Sequence, residues 1–272
     1  MENKTMNSNK FGIKTSTSFG VSLEENVSAL AKAGFEASFF PWQDGEDYSE
    51  YLRLYDKYAI MLNSIHAPFA GINCMWRDGS EGDDYVKLLC RCVDAAKSFG
   101  APNIVMHPVS GESVPLSSRI GIDRWRRIID YANLNGIKVC FENVEYSEML
   151  GIVMDEFGND VGFCYDTGHE STNDPGIRFL KLFGDRLTCT HIHDNYGLSY
   201  LVSPIMHSDC HMIPLDASID FKRVMGDIRS VEYKGVLMLE SNRHEMLKTY
   251  MDYSIWEFYE KAFSALNEIA NY

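Results

Sequence analysis

The sequence lacks the features that mark several large classes of protein. Its seven cysteines form no CxxC pair and no spacing typical of a disulfide framework, so we expect reduced thiols in a cytoplasmic protein. No run of about 18 apolar residues is present, which argues against a membrane protein. The first ten residues, MENKTMNSNK, contain no apolar segment typical of a signal peptide. We interpret residues 1–10 as a flexible tail.

Positive charge is also scarce. The chain has 25 Lys and Arg residues against 39 Asp and Glu residues, and its formal net charge is −14. Because contacts with phosphates need a basic surface, this charge disfavours nucleic acid as a partner. It does not exclude one, since bound divalent cations would offset part of the negative charge. The dense basic patch formed by Arg124, Arg126 and Arg127 is equally typical of an exposed helix surface.

Linkers rich in Pro, Gly or Ser are absent, and 45% of the residues are hydrophobic, which is enough for one sizeable core. Short apolar runs typical of strands alternate with amphipathic stretches typical of helices. The predicted strands are FGIKTSTS (11–18), FEASFFP (35–41), AIMLNSIHAP (59–68), NIVMHP (103–108), KVCFENV (138–144), VGFCYDTG (161–168), LTCTHIHD (187–194) and GVLMLES (235–241). Predicted helices begin at Ser22 and cover about 83–99, 118–134, 220–229 and 250–270.

This alternation predicts an α/β fold, a single (β/α)8 barrel over residues 11–272. Eight units in 272 residues average about 34 residues each, which is close to the usual size of such barrels. A doubly wound open sheet is the alternative fold, but no GxGxxG motif follows the first predicted strand.

Residues able to bind a divalent metal recur at the ends of the predicted strands and in the loops that follow. They are His66, His107, Glu142, Asp166, His169, His191, Asp209, His211 and Glu240. A barrel brings the carboxyl ends of its strands to one mouth, so these side chains should converge there. Buried carboxylates are costly unless they are paired or bind a metal, and Lys and Arg are scarce in these motifs. Mixed His and carboxylate ligands suit Zn²⁺ or Mn²⁺ better than Ca²⁺, with Mg²⁺ and Co²⁺ as alternatives.

Four of these residues, Glu142, Asp166, His191 and Glu240, would form one compact site with two glutamates facing each other. That arrangement serves proton transfer next to a carbonyl, with Glu142 and Glu240 as the acid and base. The other five could form further metal sites or bind the hydroxyl groups of a substrate. The candidates for substrate binding are His66, His107, His169, Phe69, Trp76 and Arg243.

The motifs HAPF, MHP, FEN, YDTGH, HIHDN, DCH and LES, in this order, resemble those of the xylose isomerase-like superfamily from about residue 11 to 270. The resemblance to its sugar (phosphate) isomerase and epimerase branch implies one metal ion, held by Glu142, Asp166, His191 and Glu240. It also implies that Glu142 and Glu240 are the acid/base pair and that His169 lies near the substrate.

The same motifs resemble the endonuclease IV branch, which implies three zinc ions held by all nine candidate ligands. The chain departs from the family where a GEG segment is common, because residues 214–221 read PLDASIDF. It also lacks the arginine that ketose epimerases use after HIHDN, and its second predicted strand ends in FFPW where an acidic residue is more usual. The lysine-bearing metal region of classical xylose isomerase is absent.

We therefore predict a divalent-metal-dependent isomerase or epimerase that acts on a small sugar or sugar phosphate. The alternative is a trinuclear zinc phosphodiesterase that acts on abasic DNA. A non-catalytic barrel that binds metal or sugar is a further alternative. The sequence leaves the choice between monomer and homo-oligomer open.

Overall fold

The computed structural model describes residues 9–111, 113–197, 209–243 and 248–272. Most of the predicted tail, residues 1–8, lies outside these ranges. Asn9 packs against the barrel, because its side-chain amide donates hydrogen bonds to the carbonyls of Tyr233 and Gly235 at 3.1 and 2.7 Å.

Among the described residues, eight parallel strands form one sheet. They are β1 (Phe11–Ile13), β2 (Ala37–Pro41), β3 (Met61–His66), β4 (Asn103–Met106), β5 (Lys138–Glu142), β6 (Gly162–Asp166), β7 (Leu187–His191) and β8 (Leu237–Leu239). The order in the sheet is β7-β6-β5-β4-β3-β2-β1-β8. A parallel bridge between Ile192 and Leu239 joins the two edges, with hydrogen bonds from Ile192 N to Met238 O at 2.8 Å and from Glu240 N to Ile192 O at 3.0 Å. The predicted (β/α)8 barrel is confirmed.

Helices cover the outside of the barrel. They are α1 (Leu23–Ala33), α2 (Ser49–Tyr58), α3 (Ser80–Phe99), α4 (Arg119–Leu134), α5 (Ser147–Phe157), α6 (Thr167–Asn173), α7 (Phe179–Phe183), α8 (Phe221–Ser230) and α9 (Ile255–Ile269), with short 3₁₀ turns at Ile72–Trp76, Gly158–Asp160 and Gly184–Arg186. The Ser22 hydroxyl caps α1 by accepting from Glu25 N, as its sequence spacing indicates. The apolar pattern did not predict α2, α5, α6 or α7. Of these, α6 is a short polar segment, TGHESTN, without an apolar stripe.

The interior of the barrel contains two successive layers of side chains from the same strands. The thiol layer consists of Cys140, Cys164 and Cys189, which pack together with Val105. The ligand layer lies two residues further along these strands and consists of Glu142, Asp166 and His191. Because side chains two residues apart in a strand share a face, the backbones of the same strands position both layers.

Within the described ranges, no helix combines the length and the apolar character needed to cross a bilayer.

Candidate metal centre

Glu142, at the end of β5, is the centre of the site and is only 1% exposed. One carboxylate oxygen lies 2.7 Å from His191 Nδ1, and the other lies 3.0 Å from His107 Nε2 and 3.2 Å from His66 Nε2. Burial by itself would raise the pKa of this carboxyl, but the charge of His191 and the hydrogen bonds from the three imidazoles lower that pKa well below its ordinary value. Glu142 is therefore a buried anion that contacts the imidazoles at the ends of three other strands.

Glu142, Asp166, His191 and Glu240 place one ligand atom each within 4.8 Å of one another, and all four side chains are buried. Glu240 Oε2 lies 2.9 Å from the same His191 Nδ1 that contacts Glu142. Its other oxygen, Oε1, pairs with the ammonium group of Lys14 at 2.9 Å. Burial opposes ionisation of Glu240, but Lys14 and His191 hold its pKa well below the ordinary value. The four ligands come from the ends of four neighbouring strands.

One overlapping group contains the thiol of Cys164 together with Glu142 and His191. Two further groups of ligand atoms flank the central one. The first consists of His66, His107 and Glu142, so it shares Glu142 with the central group. The second consists of His193, Asp209 and His211, in which His211 Nε2 lies 3.0 Å from Asp209 Oδ2. Burial works against protonation of His211, but Asp209 outweighs it and raises the pKa of His211 to about 9.

All nine predicted ligands therefore gather at one mouth of the barrel. His169, in the first turn of α6, belongs to none of these groups but lies between them. Its Nδ1 is 3.6 Å from Asp166 Oδ1, and its Nε2 is 3.6 Å from Asp209 Oδ2. A cation shared between Asp166 and Asp209 would be within reach of this imidazole.

The sequence analysis missed two residues of the site, His193 and Lys14. His193 Nε2 lies 3.0 and 3.1 Å from the two oxygens of Asp166, and its ring stacks on His211 with centroids 4.1 Å apart. The signal was present in HIHDN, because His191 and His193 are two residues apart in an extended segment and therefore share a face. Lys14 follows β1 directly, as His107 follows β4 and Glu240 follows β8.

The donor set fits a divalent cation. Buried atoms in the site lack a hydrogen-bond partner among the described residues, namely His107 Nδ1, His191 Nε2, His193 Nδ1 and Asp209 Oδ1. Each such atom costs about 1–3 kcal/mol if it stays unsatisfied. Three buried carboxylates within one ligand sphere carry the negative charge that a cation neutralises. Imidazole and carboxylate together are the donors that Zn²⁺ and Mn²⁺ accept.

The three remaining substrate-binding candidates differ in position. Phe69 is 43% exposed, and its ring stacks on His107 with centroids 4.4 Å apart, so it borders the site. Trp76 is buried, and its indole N–H donates to Pro108 O at 2.8 Å, which gives no support to contact with a substrate. Arg243 donates to Met251 O at 2.9 Å and lies over the ring of Phe19.

Gly168 allows α6 to approach the site closely. A Cβ atom at this position would collide with the ring of His193 and contact the side-chain amide of Asn195. The glycine in the motif YDTGH is therefore required by the close approach of His193, which itself holds Asp166.

Two relatives match this chain in sequence. Protein y4fM of Sinorhizobium fredii is 30% identical over 173 residues, which are 57% of this chain and 52% of that protein. Protein MJ1311 of Methanocaldococcus jannaschii is 24% identical over 282 residues, which cover 89% of each chain. The first match thus spans about half the length of the relative, and the second spans most of it.

Solved structures share the fold at low sequence identity. The D-allulose 3-epimerase from Methylomonas sp. superposes with a TM-score of 0.73 at 17% identity, covering 96% of this chain and 98% of that one. A zinc-bound IolI protein superposes with a TM-score of 0.78 at 17% identity and the same coverage. The family model for the xylose isomerase-like TIM barrel matches residues 27–266. The chain therefore belongs to the xylose isomerase-like TIM barrel family.

Proposed function

We propose that the protein is a divalent-metal-dependent enzyme that isomerises or epimerises a small sugar or sugar phosphate. The observation that carries this proposal is the pair of buried glutamates, Glu142 and Glu240, which contact the same nitrogen of His191 at 2.7 and 2.9 Å. The similar folds of sugar 3-epimerases, one of them in complex with D-allulose, support it.

The reaction moves a proton on a carbon next to a carbonyl group. A divalent ion, Zn²⁺ or Mn²⁺, held by Glu142, Asp166, His191 and Glu240 would polarise that carbonyl. One glutamate accepts the proton from the carbon, and the other returns a proton on another carbon or on the opposite face. Both side chains are held in place, Glu142 by His66 and His107 and Glu240 by Lys14. Their burial keeps water away from the transferred proton.

The first measurement is the metal content of protein purified without chelator and without a metal-binding tag. The proposal expects close to one tightly bound ion per chain and interconversion of at least one ketose or aldose in a panel of free and phosphorylated sugars. A fully metallated protein that interconverts no sugar would overturn the proposal. If it still bound sugar or metal tightly, the non-catalytic barrel would be the better interpretation.

The second candidate is an endonuclease IV-like phosphodiesterase with three zinc ions. The two flanking groups of ligands favour it, because a site for one ion does not need them. The predicted basic patch does not add support. Arg124 is 2% exposed and donates to the Arg77 and Met75 carbonyls, while Arg126 and Arg127 pair with Asp160 and Asp83.

Metal content also separates the two candidates. Near three zinc ions per chain, together with incision of a duplex that contains an abasic site, would establish the phosphodiesterase. Asp209→Asn is the informative variant, because Asp209 belongs to a flanking group but not to the central one, and its carboxylate lies against His211 and His169 instead of either glutamate. It should leave sugar turnover nearly intact in an isomerase, but should remove one ion and most of the incision in a trinuclear enzyme.

A further inference from the structure

A cavity of about 580 Å³ lies beside the metal centre. Its walls come from the segments after β1, β2 and β8, and its lining residues are Lys14, Thr15, Ser16, Thr17, Ser18, Pro41, Gln43, Glu46, Asp47, Tyr48, Tyr51, Asn242 and Arg243. Pockets for small ligands commonly measure about 300–1,000 Å³, so this cavity can hold a whole sugar molecule. None of the nine candidate ligands is among its described lining residues.

Lys14 connects the cavity to the metal centre. Its side chain lines the cavity, and its ammonium group lies 2.9 Å from Glu240 Oε1. The same ammonium group lies 5.7 Å from the centroid of the Phe39 ring, which stacks on His191. A molecule that reaches the proposed acid/base pair from the cavity therefore passes Lys14.

Uncharged polar groups face this space without a hydrogen-bond partner in the described part of the chain. They are the side-chain polar groups of Thr17, Gln43, Tyr51 and Asn242. Other hydroxyls of the lining are already used, since Thr15 bonds to Ser38 and Ser16 bonds to Ser18. Hydroxyl and amide groups that have no partner and line a cavity can form hydrogen bonds with the hydroxyl groups of a polyol.

The charges in the lining disfavour an anion. Of its two cations, Lys14 pairs with Glu240. Arg243 donates from its terminal nitrogens to the carbonyls of Ser18 and Met251, while its Nε has no hydrogen-bond partner among the described residues. Two carboxylates, Glu46 and Asp47, lie in the same wall. A phosphate group placed there would meet at least as much negative as positive charge.

We propose that this cavity binds the uncharged, polyhydroxylated end of the substrate, beyond the carbons that react at the metal centre. The substrate is then a free sugar of five or six carbons and not its phosphate ester. This inference rests on the proposed function. That function places the reacting carbons of the substrate at Glu142 and Glu240, and the inference places the rest of the substrate in the cavity.

The test uses the zinc-loaded full-length protein and NMR titration, so that binding is read out independently of turnover. The probes are D-fructose, D-fructose 6-phosphate and dihydroxyacetone, which is long enough for the metal centre but not for the cavity. Thr17→Trp and Gln43→Trp fill the cavity from two exposed positions that contact neither glutamate. Leu134→Trp is the matched control, because Leu134 is 84% exposed and ends α4 at the opposite end of the barrel.

We expect each filling variant to weaken D-fructose binding by about tenfold or more while dihydroxyacetone binding changes less than about twofold. Leu134→Trp should change neither. Wild-type protein should bind D-fructose more tightly than its 6-phosphate, and Glu46→Lys should reduce that preference.

Unchanged D-fructose binding in both filling variants would overturn the cavity assignment, as would no detectable D-fructose binding to the wild type. Tighter binding of the 6-phosphate to the wild type would overturn the assignment of an uncharged substrate. These failures differ from failure of the proposed function. Sugar turnover with a KM unaffected by Thr17→Trp would leave the proposed function standing, whereas binding weakened by Thr17→Trp without any turnover would leave the cavity standing.

Discussion

The thiol layer and the ligand layer are built by the same three strands, yet they have opposite chemistry. Each residue of both layers is at most 1% exposed. In the thiol layer, burial and the charge of Glu142 raise the pKa of Cys164 well above its ordinary value, and contact with Cys140 together with burial does the same for the pKa of Cys189, so these thiols stay neutral. In the ligand layer, the pKa of Glu142 is held far below its ordinary value, and this carboxylate is ionised.

The two layers are only two residues apart along each strand. The thiol layer is packed from neutral side chains, whereas the ligand layer contains charges that must be compensated. The thiol layer is neutral, although the sulfur of Cys164 lies within 4.8 Å of ligand atoms of Glu142 and His191. The ligand layer holds anions that only imidazolium groups, Lys14 or a metal ion can neutralise. We therefore expect changes in the ligand layer to affect activity and metal binding, and changes at Cys189 in the thiol layer to affect packing alone.

The largest effect should come from Glu142→Gln in the ligand layer. The substitution keeps the shape of the side chain but removes a proton acceptor and a charged metal ligand, so turnover of the sugar substrate should fall roughly 10²–10⁴-fold. Steady-state kinetics at saturating metal, with circular dichroism to check the fold, measure this. Glu156→Gln, an exposed position on α5, is the control. Wild-type turnover in Glu142→Gln would remove the acid/base assignment.

Removal of the metal ion should have the next largest effect. An ion present at about 1,000 times its Kd stabilises the folded state by about 4 kcal/mol. For a domain of this size the melting temperature should then rise by roughly 10 °C when zinc is restored to chelator-treated protein. Differential scanning calorimetry measures the shift. Glu142→Gln should show a much smaller shift, and equal melting temperatures with and without zinc in the wild type would contradict a buried metal site.

Gly168→Ala should have a smaller effect that connects the ligand layer to α6. The new methyl group would push against His193, which holds Asp166, and such overpacking costs about 1–3 kcal/mol. Urea denaturation and zinc titration should show lower stability together with weaker metal binding. Gly151→Ala on α5 is the matched control, since nothing lies within 4 Å of its added Cβ and alanine favours a helix. Normal zinc affinity in Gly168→Ala would show that His193 does not position Asp166.

The sequence predicted the barrel and the convergence of the nine candidate ligands because both depend on simple geometry. Strand ends of a parallel barrel meet at one mouth, and the ligands follow apolar runs that are easily recognised as strands. The sequence did not predict Lys14, because one lysine after a short strand is typical of a surface residue. Only its contact with Glu240 in the structure shows that it belongs to the site. Trp76 was named as a candidate for its residue type, although its indole N–H is engaged by Pro108. The cavity beside Lys14 depends on three loops, whose conformation no periodic pattern predicts.

The smallest effect should come from Cys189→Ala in the thiol layer. Removing one buried sulfur atom leaves a small void beside Cys140, whose sulfur lies 3.9 Å away, and should cost about 1 kcal/mol. Zinc content and kcat should remain at wild-type values, because no charge in the ligand layer changes. Urea denaturation alongside metal analysis separates these outcomes. Loss of zinc from Cys189→Ala would show that the two layers are coupled through His191, since Cys189 and His191 are two residues apart on β7 and share one face. Packing below the site would then be part of what holds the metal.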